Sequence, residues 1–153
     1  MTGPVIRPMT TADVPGALDM RGRTRENAVS IEELAAEYGV TPASAVAALQ
    51  STQSGWVCED RGRIAGFAIG DRANGEVVVV ALLPEYERRG IGRVLLTHVQ
   101  NMLFSAGYDT IWLWANPDPE VRATGFYRHM GWVNAGHIEN GAVRLERSAP
   151  KGD

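Results

Sequence analysis

Arg88, Arg89 and Arg93 surround Gly90 and Gly92 within a six-residue stretch. The apolar run Val77 to Leu83 precedes them, and an amphipathic run follows. A helix opening at Gly90 or Ile91 leaves its first backbone N–H groups without partners and turns its positive dipole end outward. Glycines let such a backbone approach a ligand closely. The arginines add positive charge at the same end. The natural occupant is a phosphate group. Two familiar phosphate motifs are excluded. A P-loop needs a lysine after its last glycine, where Arg93 stands. A dinucleotide fingerprint needs a third glycine, where Leu95 stands. A glycine pair also describes an ordinary helix start with solvated arginines, and spacing alone does not choose between the two.

Other reactive side chains are sparse. Cys58 is the single cysteine, which excludes an internal disulfide and a cysteine-rich metal site. Trp56 and Val57 beside it suggest a strand, hence a buried and inert thiol. His98 falls on an apolar helical stripe, which makes it a core-edge histidine. The chain is 44% apolar and 22% charged with a net charge of −3, so no nucleic-acid footprint is expected. No apolar run is long enough to span a bilayer, and the N-terminus lacks the pattern of a signal peptide. A cytoplasmic protein is the default expectation, with no membrane partner.

The elements that must position these residues follow from pattern. Residues 4–8 suit a short edge strand. Thr10 or Thr11 caps a first helix that tolerates Pro15. Ser30-Ile31-Glu32-Glu33 is a capping box for a short helix ending near Gly39, and Thr41-Pro42 starts another to about Ser51. Strands are expected over 55–59 and 64–69. Asn74-Gly75 then turns the chain into 77–83, whose continuous apolar run predicts cover on both faces. Ile91, Val94, Leu95, His98, Val99, Met102 and Leu103 give a helix ending at Gly107. A strand at 110–115, a helix at 120–130 and a closing hairpin at 132–138 and 142–146 complete the chain. The sum is one α/β domain over residues 1–153, a mixed sheet of about seven strands flanked by helices, with a frayed tail from Ser148.

The segment Pro84-Glu85-Tyr86-Glu87-Arg88-Arg89-Gly90-Ile91-Gly92-Arg93 resembles the acyl-CoA-binding segment of the GNAT N-acetyltransferase superfamily. Glu87 stands where that pattern has Gln or Arg. Ala123-Thr124-Gly125-Phe126-Tyr127-Arg128-His129-Met130-Gly131-Trp132 resembles the family's second segment, with Glu120 where an Asn is common. The resemblance implies the family fold, an α+β, mostly antiparallel sheet splayed between its fourth and fifth strands. It implies acetyl-CoA as co-substrate, without a metal. It implies an amine acceptor on a small molecule or a protein, and a homodimer as an assembly to look for.

Site roles follow from the same resemblance. The backbone of Arg88, Arg89, Gly90, Ile91, Gly92 and Arg93 would hold the pyrophosphate, with Arg88 and Arg89 offsetting Glu87. The pantetheine arm would pair with Leu82 and Leu83, and the Leu82 N–H would face the thioester oxygen. Asn116 would bond the arm. Tyr127 matches the tyrosine that protonates the leaving thiolate. Glu76, Glu26 and His137 are candidates for the base. Trp112 and Trp114 share a strand face that either lines the acceptor pocket or packs in the core. Because no base is obvious, a non-catalytic acyl-CoA-binding or sensing module of the same fold is the alternative.

Overall fold

The computed structural model describes residues 3–24, 28–116 and 122–150. β1 (Val5–Pro8) opens the chain, and a 3-10 turn at Thr11–Asp13 leads into α1 (Val14–Met20), with Pro15 in its first turn. α2 (Ile31–Tyr38) and α3 (Pro42–Leu49) follow. Both carry the caps their sequences announce: Ser30 Oγ accepts the Glu33 N–H at 3.1 Å, and Thr41 Oγ1 accepts the Ser44 N–H at 3.1 Å. β2 (Gln53–Asp60), β3 (Arg63–Asp71) and β4 (Glu76–Leu82) form an antiparallel meander. α4 (Ile91–Ser105), β5 (Thr110–Ala115), α5 (Arg122–His129), β6 (Val133–Glu139) and β7 (Ala142–Ser148) complete the fold.

The sheet runs β1-β2-β3-β4-β5-β7-β6, and β4–β5 is its parallel neighbour pair. That pairing is confined to Glu76 opposite Trp112 among the described residues. Beyond it the strands part, leaving a V between them. The closed end is riveted by side chains: Trp112 Nε1 donates to Asn74 O at 3.0 Å, and Tyr108 Oη donates to Arg72 O at 2.7 Å. Gly75 is needed here, because its φ is +79° and a Cβ would meet the Tyr108 ring at 2.9 Å.

α4 fastens the two halves of the sheet. Leu95, Leu96, Val99 and Leu103 are fully buried, and each contributes roughly 1.5–3 kcal/mol relative to exposure. Gln100, a polar residue on that buried side, accepts the Trp132 indole N–H at 2.9 Å. At the other edge, Arg7 grips Asp13 with two 2.8 Å hydrogen bonds and Glu59 with one at 3.0 Å, joining β1, the first turn and β2.

Three expectations are corrected. β4 is not covered on both faces. Val77 and Ala81 are buried, but Val78 is 41% exposed, because the sheet opens beside it. His98 is exposed rather than at the core edge. It stacks on Trp56 with ring centroids 5.1 Å apart, while the buried stripe runs through Leu96 and Gln100. The tail does not fray at Ser148, which pairs with Thr110, and the Ala149 N–H still reaches Asp109 O at 2.8 Å.

Candidate functional site

A cleft of about 1080 Å³ follows β4 along the V. Glu87, Arg88 and the start of α4 line one end of it. Leu18, Arg21, Leu34 and Tyr38 form the wall on the α1–α2 side, and Glu139 to Ala142 belong to the β6–β7 turn.

The loop before α4 is bent by two left-handed residues, Arg88 (φ +66°) and Gly90 (φ +79°). A positive φ at a non-glycine residue is uncommon and marks Arg88 as a position held in place by its surroundings. Gly90 is the N-cap of α4 and offers no side chain to the helix, so the first N–H groups keep their donors for another acceptor. A Cβ on Gly90 would meet nothing within 4 Å, which leaves the cradle open. These features fit a phosphate group held by backbone N–H groups and the dipole end. Arg88, Ile91, Gly92 and Arg93 all line the cleft. Arg89 does not join them. Its guanidinium lies over the Tyr86 ring at 5.1 Å and donates to Glu85 O at 3.1 Å.

Strand register decides which amides of β4 face the V. The Leu83 N–H donates to Ala65 O on β3 at 2.9 Å. Pairing is unbroken from Gly66–Leu82 to Ile69–Val79, and successive N–H groups on a strand point to opposite sides. The Leu82 and Val80 N–H groups thus aim into the gap beside β5. Leu83, expected to share the pairing, is buried and its donor is taken. Val80 was missed, because only the register reveals it.

Tyr127 is buried between Phe126 and Trp132, with ring centroids at 5.5 and 6.0 Å, yet still borders the cleft. Loss of water around its phenol pushes its pKa up to about 12, against a smaller opposite pull from Arg21. It therefore carries its proton throughout the neutral range. α5, which bears it, is tied to the end of β5: Thr124, buried and unremarked in the sequence, donates its hydroxyl to Asn116 O at 2.8 Å. Asn116 itself is exposed at the rim.

Glu76 lies at the closed end of the V. Desolvation, then Asp71, raise its pKa, while Asn74 and Arg144 oppose them. Six steps along β4 set it on the order of 20 Å from Leu82, so the two are not brought to one point. Glu26 lies outside the described residues. Trp114 borders the cleft and meets His137 at 5.6 Å, while Trp112 sits under Arg144 at 4.4 Å. Cys58 is buried and its thiol pKa is raised by desolvation, as for an inert group. Among the described residues no cluster of metal-ligating side chains occurs, and no helix is long and apolar enough to cross a membrane.

A seven-stranded mixed sheet parted at its parallel pair defines the class, the GNAT acyltransferase fold. The chain belongs to the Acetyltransferase (GNAT) family, whose model matches residues 23–132, and it is an N-acetyltransferase. It is 31% identical over 137 residues to the [Ribosomal protein bS18]-alanine N-acetyltransferase of Escherichia coli K12, covering 85% of this chain and 81% of that one. The crystal structure of the Escherichia coli ribosomal-protein-S18-alanine N-acetyltransferase superposes with a TM-score of 0.72 at 21% identity, over 98% of this chain and 96% of that one. PaiA N-acetyltransferase from Thermoplasma acidophilum, solved in complex with coenzyme A, gives 0.78 at 17% identity, over 97% and 100%.

Proposed function

We propose that the protein transfers the acetyl group of acetyl-CoA directly to a primary amine of a small molecule or a protein. The observation that carries this reading is the coincidence of the open anion cradle at Arg88–Arg93 with amide donors of β4 that face the V. The pyrophosphate belongs on the Arg88–Arg93 backbone, with Arg88 and Arg93 supplying charge. The pantetheine arm lies along β4, and Asn116 stands at the rim for it. The Leu82 N–H donates to the thioester oxygen as negative charge develops there, and a donor fixed in a strand needs no reorganisation to do so. The amine nitrogen forms its bond to the acetyl carbon, the C–S bond breaks, and Tyr127 gives its proton to the sulfur.

The acceptor must lose a proton to attack. Glu76 and Glu26 are the carboxylates assigned to receive it. Glu76 has the raised affinity for a proton that suits a base, and at its distance from Leu82 the proton reaches it only along water. The 31% identical relative acts, by its name, on an alanine of ribosomal protein bS18, which supports a protein amine as the acceptor.

Release of CoA thiol from acetyl-CoA, measured with a panel of amines, tests the whole reading. Tyr127→Phe is expected to lower kcat by about 10²-fold, the lower end for a general acid, with little change in acetyl-CoA affinity. Gly90→Glu puts a carboxylate into the cradle and is expected to raise the Kd for acetyl-CoA at least ~10-fold. Unchanged affinity in that variant removes the cradle from the model. For the base, Glu76→Gln and Glu26→Gln are compared across pH. The variant whose lost rate returns at high pH, where the amine is already neutral, identifies the acceptor of the proton. Tight acetyl-CoA binding without turnover of any amine would favour a sensing module instead.

A further inference from the structure

Arg21 lies on the α1–α2 side of the cleft, away from the phosphate cradle. It follows α1 directly, and its carbonyl accepts the Val29 N–H at 2.9 Å, which fixes the backbone beneath the side chain. The residue is only partly exposed. Four arginines of the fold have carboxylates: Arg7 has Asp13 and Glu59, Arg23 has Asp19, Arg63 has Glu85 and Arg144 has Glu146. Among the described residues no carboxylate lies within ion-pair distance of Arg21. Its electrostatic neighbours are the phenols of Tyr127 and Tyr38, and the Tyr127 phenol is neutral in the working pH range. A guanidinium drawn partly out of water with no carboxylate beside it among the described residues is costly, and a ligand that supplies the charge recovers that cost. Such groups in clefts mark ligand sites.

We propose that Arg21 is a specificity-determining residue for the acceptor, binding a carboxylate carried by the amine substrate. The planar fork of arginine matches a carboxylate in a two-pronged hydrogen bond. One guanidinium suits a single negative charge, whereas a phosphate calls for the denser donors found at Arg88–Arg93. Arg21 and Tyr127 line the same cleft, so the carboxylate and the amine that is acetylated belong to one acceptor. Two sources share this chemistry, a free amino acid and an acidic residue next to the amino terminus of a polypeptide. The inference rests on the N-acetyltransferase reading above.

The test uses the full chain with acetyl-CoA and four acceptors: glycine, glycinamide, and the peptide amides Ala-Asp-Ala-Ala and Ala-Asn-Ala-Ala. Wild type is expected to favour the carboxylate member of at least one pair by tenfold or more in kcat/KM. The pair that shows the preference identifies the source. Arg21→Gln should lose that preference chiefly through KM for the carboxylate acceptor, with much less effect on its amide. Arg21→Lys should restore part of it. Acetyl-CoA binding, followed in each variant by thermal shift, should stay at the wild-type level. Equal rates within both pairs in wild type overturn the inference, as does an equal loss for both members of a pair in Arg21→Gln. Turnover of none of the four while acetyl-CoA binds also overturns it. Failure of wild type to bind acetyl-CoA at all would sink the parent reading and the inference with it.

Discussion

At the scale of residues, burial sets the chemistry more than identity does. Tyr127 and Glu76 both hold their protons more tightly than their free counterparts, and in both the loss of water is the leading cause. For Tyr127 this keeps an acid charged with its proton at neutral pH. For Glu76 it has a stability consequence whose sign is fixed. A carboxyl that binds its proton more tightly when folded favours the fold below its unfolded pKa, about 4.3, and loses that advantage as pH rises through the folded value. Glu76→Gln is therefore expected to raise Tm at pH 7–8 and to leave it nearly unchanged at pH 4. Thermal melts of the two proteins at both pH values check this. An equal shift at both would assign the effect to packing rather than to charge.

At the scale of elements, the chain was readable where one local signal suffices. The caps of α2 and α3, the Asn74-Gly75 turn and the cradle before α4 all stand in the sequence as residue types at fixed spacings. What was not readable depends on partners distant along the chain. Gln100 looks like an exposed helix residue until Trp132 reaches it from beyond α5. Replacing it by Leu leaves a buried indole N–H without an acceptor, at an expected cost of about 1–3 kcal/mol in urea unfolding. Parallel burial of two apolar groups in the double variant Gln100→Leu/Trp132→Phe should recover part of that loss. The same limit hid the division of labour along β4. Leu82 and Leu83 are alike in sequence, and only the Ala65–Leu83 hydrogen bond shows that one donor is spent and the other faces the V. Arg21 carries no motif of its own in the sequence, and only the fold sets it in the same cleft as Tyr127. The Arg89 side chain rests on Tyr86, a placement its sequence neighbours do not announce.

At the scale of the molecule, the cleft borders both halves of the sheet, so a ligand seated in it ties them together. Acetyl-CoA at 100 times its Kd is expected to stabilise the fold by about 2.7 kcal/mol. Differential scanning fluorimetry against acetyl-CoA concentration measures this, and Gly90→Glu should remove most of the shift. The parting of β4 from β5 has another effect. Backbone hydrogen bonds make a continuous ladder from β1 to β4 and again through β5, β7 and β6, but the described ladder between the two groups is a single residue pair. The sheet is one object in topology and two in cooperativity. Amide protons of β5 and β7 should exchange with solvent deuterium through an opening that leaves β2 and β3 protected, and do so more slowly once the gap is bridged. On the acetyl-CoA reading proposed above, the seam in the sheet is closed by the substrate in place of a strand, and the rigidity of the fold becomes a property of the complex.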